Sequence, residues 1–413
     1  MAGKQAKPTE SRAATRKRTR EDQEPSKPSK KTRTNKQTDS EVTQGSSGDK
    51  LPLAQKPSGE RPLTRALRPR YPPKKELKLS DLEGVRTLGE GGFGAVCLAR
   101  VKDSKSDGDG TVVAVKVQQK KTLLLTHHQR NILGERKFLS NLPWSPFVAG
   151  ILDLFQDTKN VYYVLEFMGL NTLHSERHRR PGHCFTDEEG PFYLANIVLG
   201  LEHLHKHGLA HCDLKPNNIL VGDDGYLTIA DLGLAKDVSW KTEWDSFGSP
   251  EYMPPETFDE SYGLLDTTLD WWSVGCIVYE MMSGERAFQD FFGRTDELHR
   301  RICEKRLGSN KPFTNGSGDA HEIIDGFIEV NPRFRLGVNG TAEIKRYSWF
   351  KNINWTDIEA RTVEAPYVPG MLSTSTKAIP QFEHMLKQEF VPGLALVEPP
   401  TALKFIGKDI PFR

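Results

Sequence analysis

Short runs of alternating apolar and polar residues dominate the stretch from residue 82 to 166: VRTLG, AVCLARV, TVVAVKV and YYVLEF. A period of two turns one face of each run toward a core, and turn-rich connections separate the runs, so strands are expected. The polar, glycine-containing KDSKSDGDGT (102–111) between two of them is expected to be an exposed hairpin loop. After residue 185 the period changes. Leu194, Ile197, Leu201 and Leu204 recur at steps of three and four, which predicts a helix with one apolar stripe. Thr186 precedes it, with Glu189 three residues on, the spacing of a capping box. LDWWSVGCIVYEMMSG (269–284) is apolar nearly all round, so a helix enclosed by other helices is expected. The chain therefore reads as α+β, a β-rich part followed by an α-rich part, with an irregular stretch from about 351 and no internal repeat.

With 413 residues the chain can bury a large core in two or three domains or lobes. Its net charge of +2 hides an asymmetry. Residues 1–75 hold 20 Lys/Arg against 8 Asp/Glu, a balance of +12, and the remainder holds 37 against 47, a balance of −10. That first segment is rich in Lys, Arg, Ser, Thr, Pro and Gln without apolar periodicity, and is expected to be a disordered basic tail. Within it RKRTR (Arg16–Arg20) and KPSKKTR (Lys27–Arg33) have the spacing of a bipartite nuclear import signal; the plainer alternative is a solvated charge run. Five scattered cysteines, Cys97, Cys184, Cys212, Cys276 and Cys303, show no metal-ligand spacing and are expected to be reduced thiols of an intracellular protein. No apolar run follows Met1, and none reaches the roughly 18 residues that a membrane span needs, so neither a secretory signal nor a membrane partner is expected.

Four pieces of sequence carry candidate chemistry. LGEGGFGAV (88–96) lies between two expected strands, with Gly89, Gly91 and Gly94 in G-x-G-x-x-G spacing. Glycines let backbone approach phosphate oxygens, and a strand rather than a helix after the loop argues against a dinucleotide-binding fold. VAVK (113–116) ends a strand in Lys116, for which Glu135 in NILGERKFL is a candidate ion-pair partner. HCDLKPNNIL (211–220) spaces Asp213, Lys215 and Asn218 so that a carboxylate can accept a proton, a cation can neutralise transferred charge, and a neutral oxygen can ligate Mg²⁺. LTIADLG (227–233) is an expected strand ending in Asp231, a hard anionic ligand.

This order of motifs resembles a eukaryotic protein kinase over 82–350. PPE (254–256) stands at the Ala-Pro-Glu position. Glu256 and Arg335 resemble the family's buried ion pair, and Asp270 resembles the aspartate that braces the catalytic loop. GSPEYMPPE (248–256), RYSWFKNINW (346–355) and VEAPYVP (363–369) are similar to the AGC group of Ser/Thr kinases, near the cyclic-AMP-dependent enzyme. The resemblance implies a β-rich lobe over 82–168, a helical lobe over 169–350 and an AGC-like tail over 351–413. It implies ATP and Mg²⁺ as cofactors and protein substrates as partners. The nucleotide cradle would comprise Leu88, Gly89, Glu90, Gly91, Gly92, Phe93, Gly94, Ala95 and Val96, with Lys116 set by Glu135. Glu166–Met168 would be the adenine-binding hinge after Leu165. Asp213 and Lys215 would act on the hydroxyl and the transferred group, and Asn218 and Asp231 on the metal.

The departures from the family are specific. The closing Phe-x-x-Phe motif is absent from FIGKDIPFR, where Phe405 and Phe412 stand further apart. Leu232 replaces the Phe of Asp-Phe-Gly as another apolar plug. Asn217 stands where basophilic relatives carry a glutamate that reads substrate arginine; Asn171 is expected to be a second such loss, with Glu280 retained. Cys212 replaces the arginine that grips an activation-segment phosphothreonine. That phosphate position falls on Asp245, the helix position that often supplies a histidine is Asn131, and Lys236 remains of the pocket. A Lys236–Asp245 pair could stand in for the phosphate contact, which implies little reliance on activation-loop phosphorylation. Alternatively Cys212 is a core filler, and Ser246 or Thr242 takes a phosphate. The chain is expected to be a monomer in the nucleus or cytoplasm, with an import receptor on its tail. A pseudokinase scaffold and a nucleic-acid-associated protein are the rival readings.

Overall fold

The computed structural model describes residues 77–91, 94–102, 112–120, 142–238, 248–258, 266–289, 295–308 and 316–369. The first part is an antiparallel sheet of β1 (Leu82–Gly91), β2 (Gly94–Val101), β3 (Val112–Gln119), β4 (Ile151–Gln156) and β5 (Asn160–Glu166), in the order β1-β2-β3-β5-β4. The period of two is visible in β3. Val113, Val115 and Val117 join Leu82, Ala99, Phe155, Tyr162 and Val164 in one core, so Lys116 lies on the opposite face. Leu77, five residues before β1, is packed into the same core, and its N–H donates to Asp153 Oδ2 at 2.7 Å. The connection between β2 and β3 joins antiparallel neighbours, as a hairpin requires; residues 103–111 lie outside the described ones, as do the tail 1–75 and residues 370–413.

The second part is helical. Its main elements are α1 (Leu173–His178), α2 (Gly190–Lys206), α3 (Thr268–Ser283), α4 (Thr295–Cys303) and α5 (Gly318–Phe327). Leu194, Ile197, Leu201 and Leu204 are all fully enclosed, each worth about 1.5–3 kcal/mol against exposure. The capping box at α2 is present: Thr186 N–H donates to Glu189 Oε2 at 2.9 Å, and Glu189 N–H to Thr186 Oγ1 at 3.3 Å. In α3 every residue from Thr268 to Met282 is buried, and the helix stops at Gly284, whose φ of 76° is left-handed. Short strands β6 (Asn171–Thr172), β8 (Ile219–Val221) and β9 (Leu227–Ile229) form one small sheet; β7 (Leu209–Ala210) and β10 (Lys236–Asp237) form another.

The stretch after 351 is more ordered than its sequence suggests. Trp355–Glu359 is a short helix capped by Asn354, and Ile358 is fully buried in the helical core. Arg361 follows, buried over the rings of Phe147 and Tyr226 and bonded to Asp224 at 2.9 Å. Residues up to 369 continue along this lobe, where Tyr226 Oη donates to Val363 O and the Arg180 guanidinium covers the Tyr367 ring. No helix among the described residues is long and apolar enough to cross a membrane.

Candidate active site

The glycine run closes the β1–β2 hairpin, with Gly91 paired to Gly94; Gly92 and Phe93 lie outside the described residues. Gly94 is required by geometry. Its φ is 151°, and a Cβ there would stand 1.9 Å from Val117 O on β3. At Gly89 a Cβ would meet nothing within 4 Å, so this side of the hairpin is open. A strand, not a helix, follows, as the sequence pattern requires.

Lys116 reaches Asp231 Oδ1 at 2.6 Å. Asp231 has φ 61°, left-handed backbone that a non-glycine residue seldom adopts. The Lys116 charge holds the Asp231 carboxyl below the usual carboxylate range, against the opposing effect of burial. Leu232, next in sequence, is buried as the expected plug. Glu135 lies outside the described residues.

Backbone pairing sets Asn218 beside Asp231. Ile219 pairs with Ile229, and Ala230 N–H donates to Asn218 O at 2.8 Å. Asn218 Nδ2 donates to Asp213 O at 2.8 Å and Oδ2 at 3.1 Å, which leaves its amide oxygen as the donor atom for a cation. Among the described residues no group of three or more His, Cys, Asp or Glu could hold a metal by itself. One carboxylate and one amide suit Mg²⁺, which keeps several waters and takes the rest of its shell from phosphates. The pair therefore fits Mg²⁺ bound together with a nucleotide.

Asp213 and Lys215 are joined by a residue the sequence reading did not single out. Lys215 Nζ donates to Asp213 Oδ2 and to Ser249 Oγ, each at 2.8 Å, and Ser249 Oγ donates to Asp213 Oδ1 at 2.9 Å. Gly248 makes this closure possible: its φ is 98°, and a Cβ would stand 2.7 Å from Cys212 O. From below, Asp270 accepts the N–H of His211 at 2.8 Å and of Cys212 at 3.0 Å, with His205 Nε2 at 2.8 Å. Burial pushes the Asp270 carboxyl up, but the His205 contact and these hydrogen bonds outweigh it and hold it low. This brace holds Cys212 at φ 66°.

Cys212 packs with Ala210 and Leu269, flanked by Leu234 and Val238. Burial, then the nearby Asp270 charge, pushes its thiol well above its ordinary range, so it is a neutral side chain in an apolar pocket. Cys212 thus fills a small apolar cluster beside the catalytic loop. Lys236 pairs through its backbone with Ala210; Asp245, Ser246, Thr242 and Asn131 lie outside the described residues.

In the hinge, the Glu166 side chain turns inward, accepting from Trp144 Nε1 at 3.2 Å and Gly150 N–H at 3.1 Å. Among the described residues no backbone hydrogen bond engages Met168, whose amide can serve a bound base. Asn171 is buried on β6 and accepts from Arg179 Nη1 at 2.7 Å, so its side chain is turned into the fold. Glu280 is retained but fully buried, 2.8 Å from Arg177 and 2.6 Å from Tyr252 Oη.

Glu256 Oε2 meets Arg335 Nη2 at 2.8 Å, as the motif order implied. Residues 82–350 match the family model described as Protein kinase domain. The chain is 32% identical to the serine/threonine-protein kinase AtPK2/AtPK19 of Arabidopsis thaliana over 296 residues, covering 71% of this chain and 59% of that protein. It is 33% identical to the serine/threonine-protein kinase Sgk1 of Danio rerio over 332 residues, covering 79% of this chain and 72% of that protein. A probable serine/threonine-protein kinase of Dictyostelium discoideum is 33% identical over 309 residues, covering 73% of this chain and 62% of that protein. The two-lobed fold, the motif order and these relatives place the chain in the protein kinase family, as a eukaryotic AGC-type serine/threonine kinase.

Proposed function

We propose that this chain transfers the γ-phosphoryl group of ATP to serine or threonine hydroxyls of protein substrates. One observation carries this reading: the closed triangle of Asp213, Lys215 and Ser249, with Asn218 joining it to the Lys116–Asp231 pair. A hydroxyl entering beside the triangle donates to a remaining lone pair of the Asp213 carboxylate, which Lys215 and Ser249 hold in place. Lys215, already 2.8 Å from that carboxylate, neutralises charge on the group in flight. Lys116 holds the α- and β-phosphates, and the open hairpin at Gly89 covers them. Asp231 and Asn218 would hold Mg²⁺, which would neutralise phosphate charge when bound. Transfer of labelled phosphate to a mixed protein substrate, lost in a folded Lys116→Met chain, is the expected result. Equal transfer by wild type and variant rules the assignment out.

Two further readings belong to the same proposal. The catalytic loop is ordered by the Asp270 brace and by Cys212 packing, with no cation at position 212 to grip a phosphate. Activity should therefore survive phosphatase treatment, and Asp245→Lys should lower it more than Ser246→Ala. Inactivation on loss of a phosphate from Ser246 or Thr242 contradicts this. The basic clusters Arg16–Arg20 and Lys27–Arg33 direct the chain to the nucleus through an import receptor. A fusion with Lys17, Arg18, Lys30 and Lys31 changed to Ala should remain cytoplasmic; unchanged distribution makes the clusters a solvated charge run. A DNA mobility shift that weakens with salt and vanishes on deleting residues 1–75 would instead assign the tail to nucleic acid.

A further inference from the structure

The rim of the substrate groove carries a feature that neither the family match nor the transfer chemistry explains. Ser249 touches Asp213, so the chain running on from it, Pro250–Tyr252, borders the place where a substrate hydroxyl must sit. Glu251 lies in that border. Its two carboxylate oxygens both accept from Arg286 Nη1, each at 2.6 Å. Arg286 stands just past the end of α3, near enough to α1 that its charge acts on His174. It is thus tied to the Ser249–Tyr252 border through Glu251. Two neighbouring carboxylates are also engaged: Glu280 by Arg177 and Tyr252, and Glu176 by Arg179 and Arg180. Position 217 is an amide, not an acid. At Glu251, Glu280 and Glu176 a cationic substrate side chain therefore meets carboxylates that already hold arginines of the chain itself.

Arg286 is not used up by this contact. A guanidinium has five N–H donors in a planar fork. Only Nη1 is engaged by Glu251, and among the described residues Nε and Nη2 carry no other hydrogen bond. The side chain is 42% exposed, so the arginine is not sealed off from solvent by this contact. Two parallel N–H groups on one edge match a carboxylate or phosphate bidentately. Exposed Glu285 is the adjacent acid on this stretch and must be controlled for.

We propose that Arg286 is a specificity-determining residue: it closes Glu251 to substrate arginine and offers its Nε/Nη2 edge to an acidic side chain flanking the phosphoacceptor serine or threonine. This rests on the kinase reading above and names the substrate class for the same site. The ligand chemistry is an oxyanion, from aspartate, glutamate or a previously phosphorylated residue.

The test is a positional peptide library around one serine, each flanking position carrying Ala, Arg, Asp or phosphoserine, phosphorylated by the full-length chain. Rates at each position are expressed relative to the Ala peptide. At one or more positions the wild type should prefer Asp or phosphoserine over Arg, about threefold to fivefold for a half-exposed pair, with the effect in KM. A larger gain from phosphoserine than from Asp identifies a phosphate reader; equal gains identify a carboxylate reader. Arg286→Ala should reverse the preference toward Arg, because Glu251 is uncovered. Adding Glu251→Gln to that variant should abolish both preferences, and Glu285→Gln alone should leave the wild-type ratio in place. Thermal melts report that each variant is folded. If the wild type favours Arg, or if the ratio is the same in folded Arg286→Ala, the inference is overturned while the transfer reaction stands. Absence of transfer to every peptide and to mixed protein overturns the kinase reading and this inference with it.

Discussion

Glu251 and Glu256 lie five residues apart, each meets one arginine, and they serve opposite ends. Under the substrate segment, Arg335 is fully buried and is bonded to Glu256, to Thr268 O at 3.2 Å and to Glu329 O at 3.0 Å, over the ring of Trp272. On the rim, Arg286 and Glu251 share one doubly accepted Nη1 and stay partly in water. In a dry site a charge must be fully partnered, and removing one partner strands the other. In a wet site water replaces the lost partner, so the pair adds little stability and is available for recognition. Ion pairs that look alike in a contact survey thus divide into floor and rim by solvent access alone.

The floor should give the largest effect. Arg335→Met should destabilise the chain by about 3–5 kcal/mol in urea unfolding, because Glu256 is left buried and charged. A loss below 1 kcal/mol would erase the distinction between floor and rim. Ser249→Ala comes next. Ser249 borders the rim yet touches both Asp213 and Lys215. Its loss should lower kcat about tenfold through misplacement of the pair, with unfolding changed by less than about 1 kcal/mol. Steady-state kinetics beside a melt separates the two readouts. Arg286→Ala should change unfolding by no more than about 1 kcal/mol, as expected for an exposed pair. A floor-sized loss there would make the rim pair structural.

The smallest effect concerns pH. The carboxyls of Asp231 and Asp270 are both held below the ordinary range. A lowered folded value contributes stability that is fully present above the unfolded value of about 3.9 and is lost as pH falls through the folded value. Melts at pH 7 and pH 5.5 should therefore agree as far as these two groups are concerned. Below about pH 4 the wild type should lose stability more steeply than Asp270→Asn. An equal slope in both would remove Asp270 from the acid transition.

The strand alternation of β3, the capping box at Thr186 and the enclosed α3 were legible in the sequence, because each is a local rule with a fixed period or spacing. So were Asp213, Lys215 and Asn218, which sit on one short loop. Ser249 was not legible as their third partner. It lies 36 residues from Asp213, and only the left-handed Gly248 resting on Cys212 brings it in. The Arg286–Glu251 contact spans 35 residues and depends on where α3 ends. The partner of Asn171 was not legible either: strand pairing with Val221 turns it into the fold, where Arg179 meets it. The helix at Trp355 was missed because it is only five residues long and is held by packing of Ile358 rather than by an apolar period.

The central claim is that Asp213, placed by Lys215 and Ser249, receives the substrate hydroxyl. Phosphoryl transfer from labelled ATP to a serine peptide, compared between the intact chain and Asp213→Asn, tests it most directly. The account predicts that the variant, with an unchanged melt and unchanged nucleotide binding, loses about 10²- to 10⁴-fold in turnover. A folded Asp213→Asn chain that turns over near the wild-type rate would contradict it.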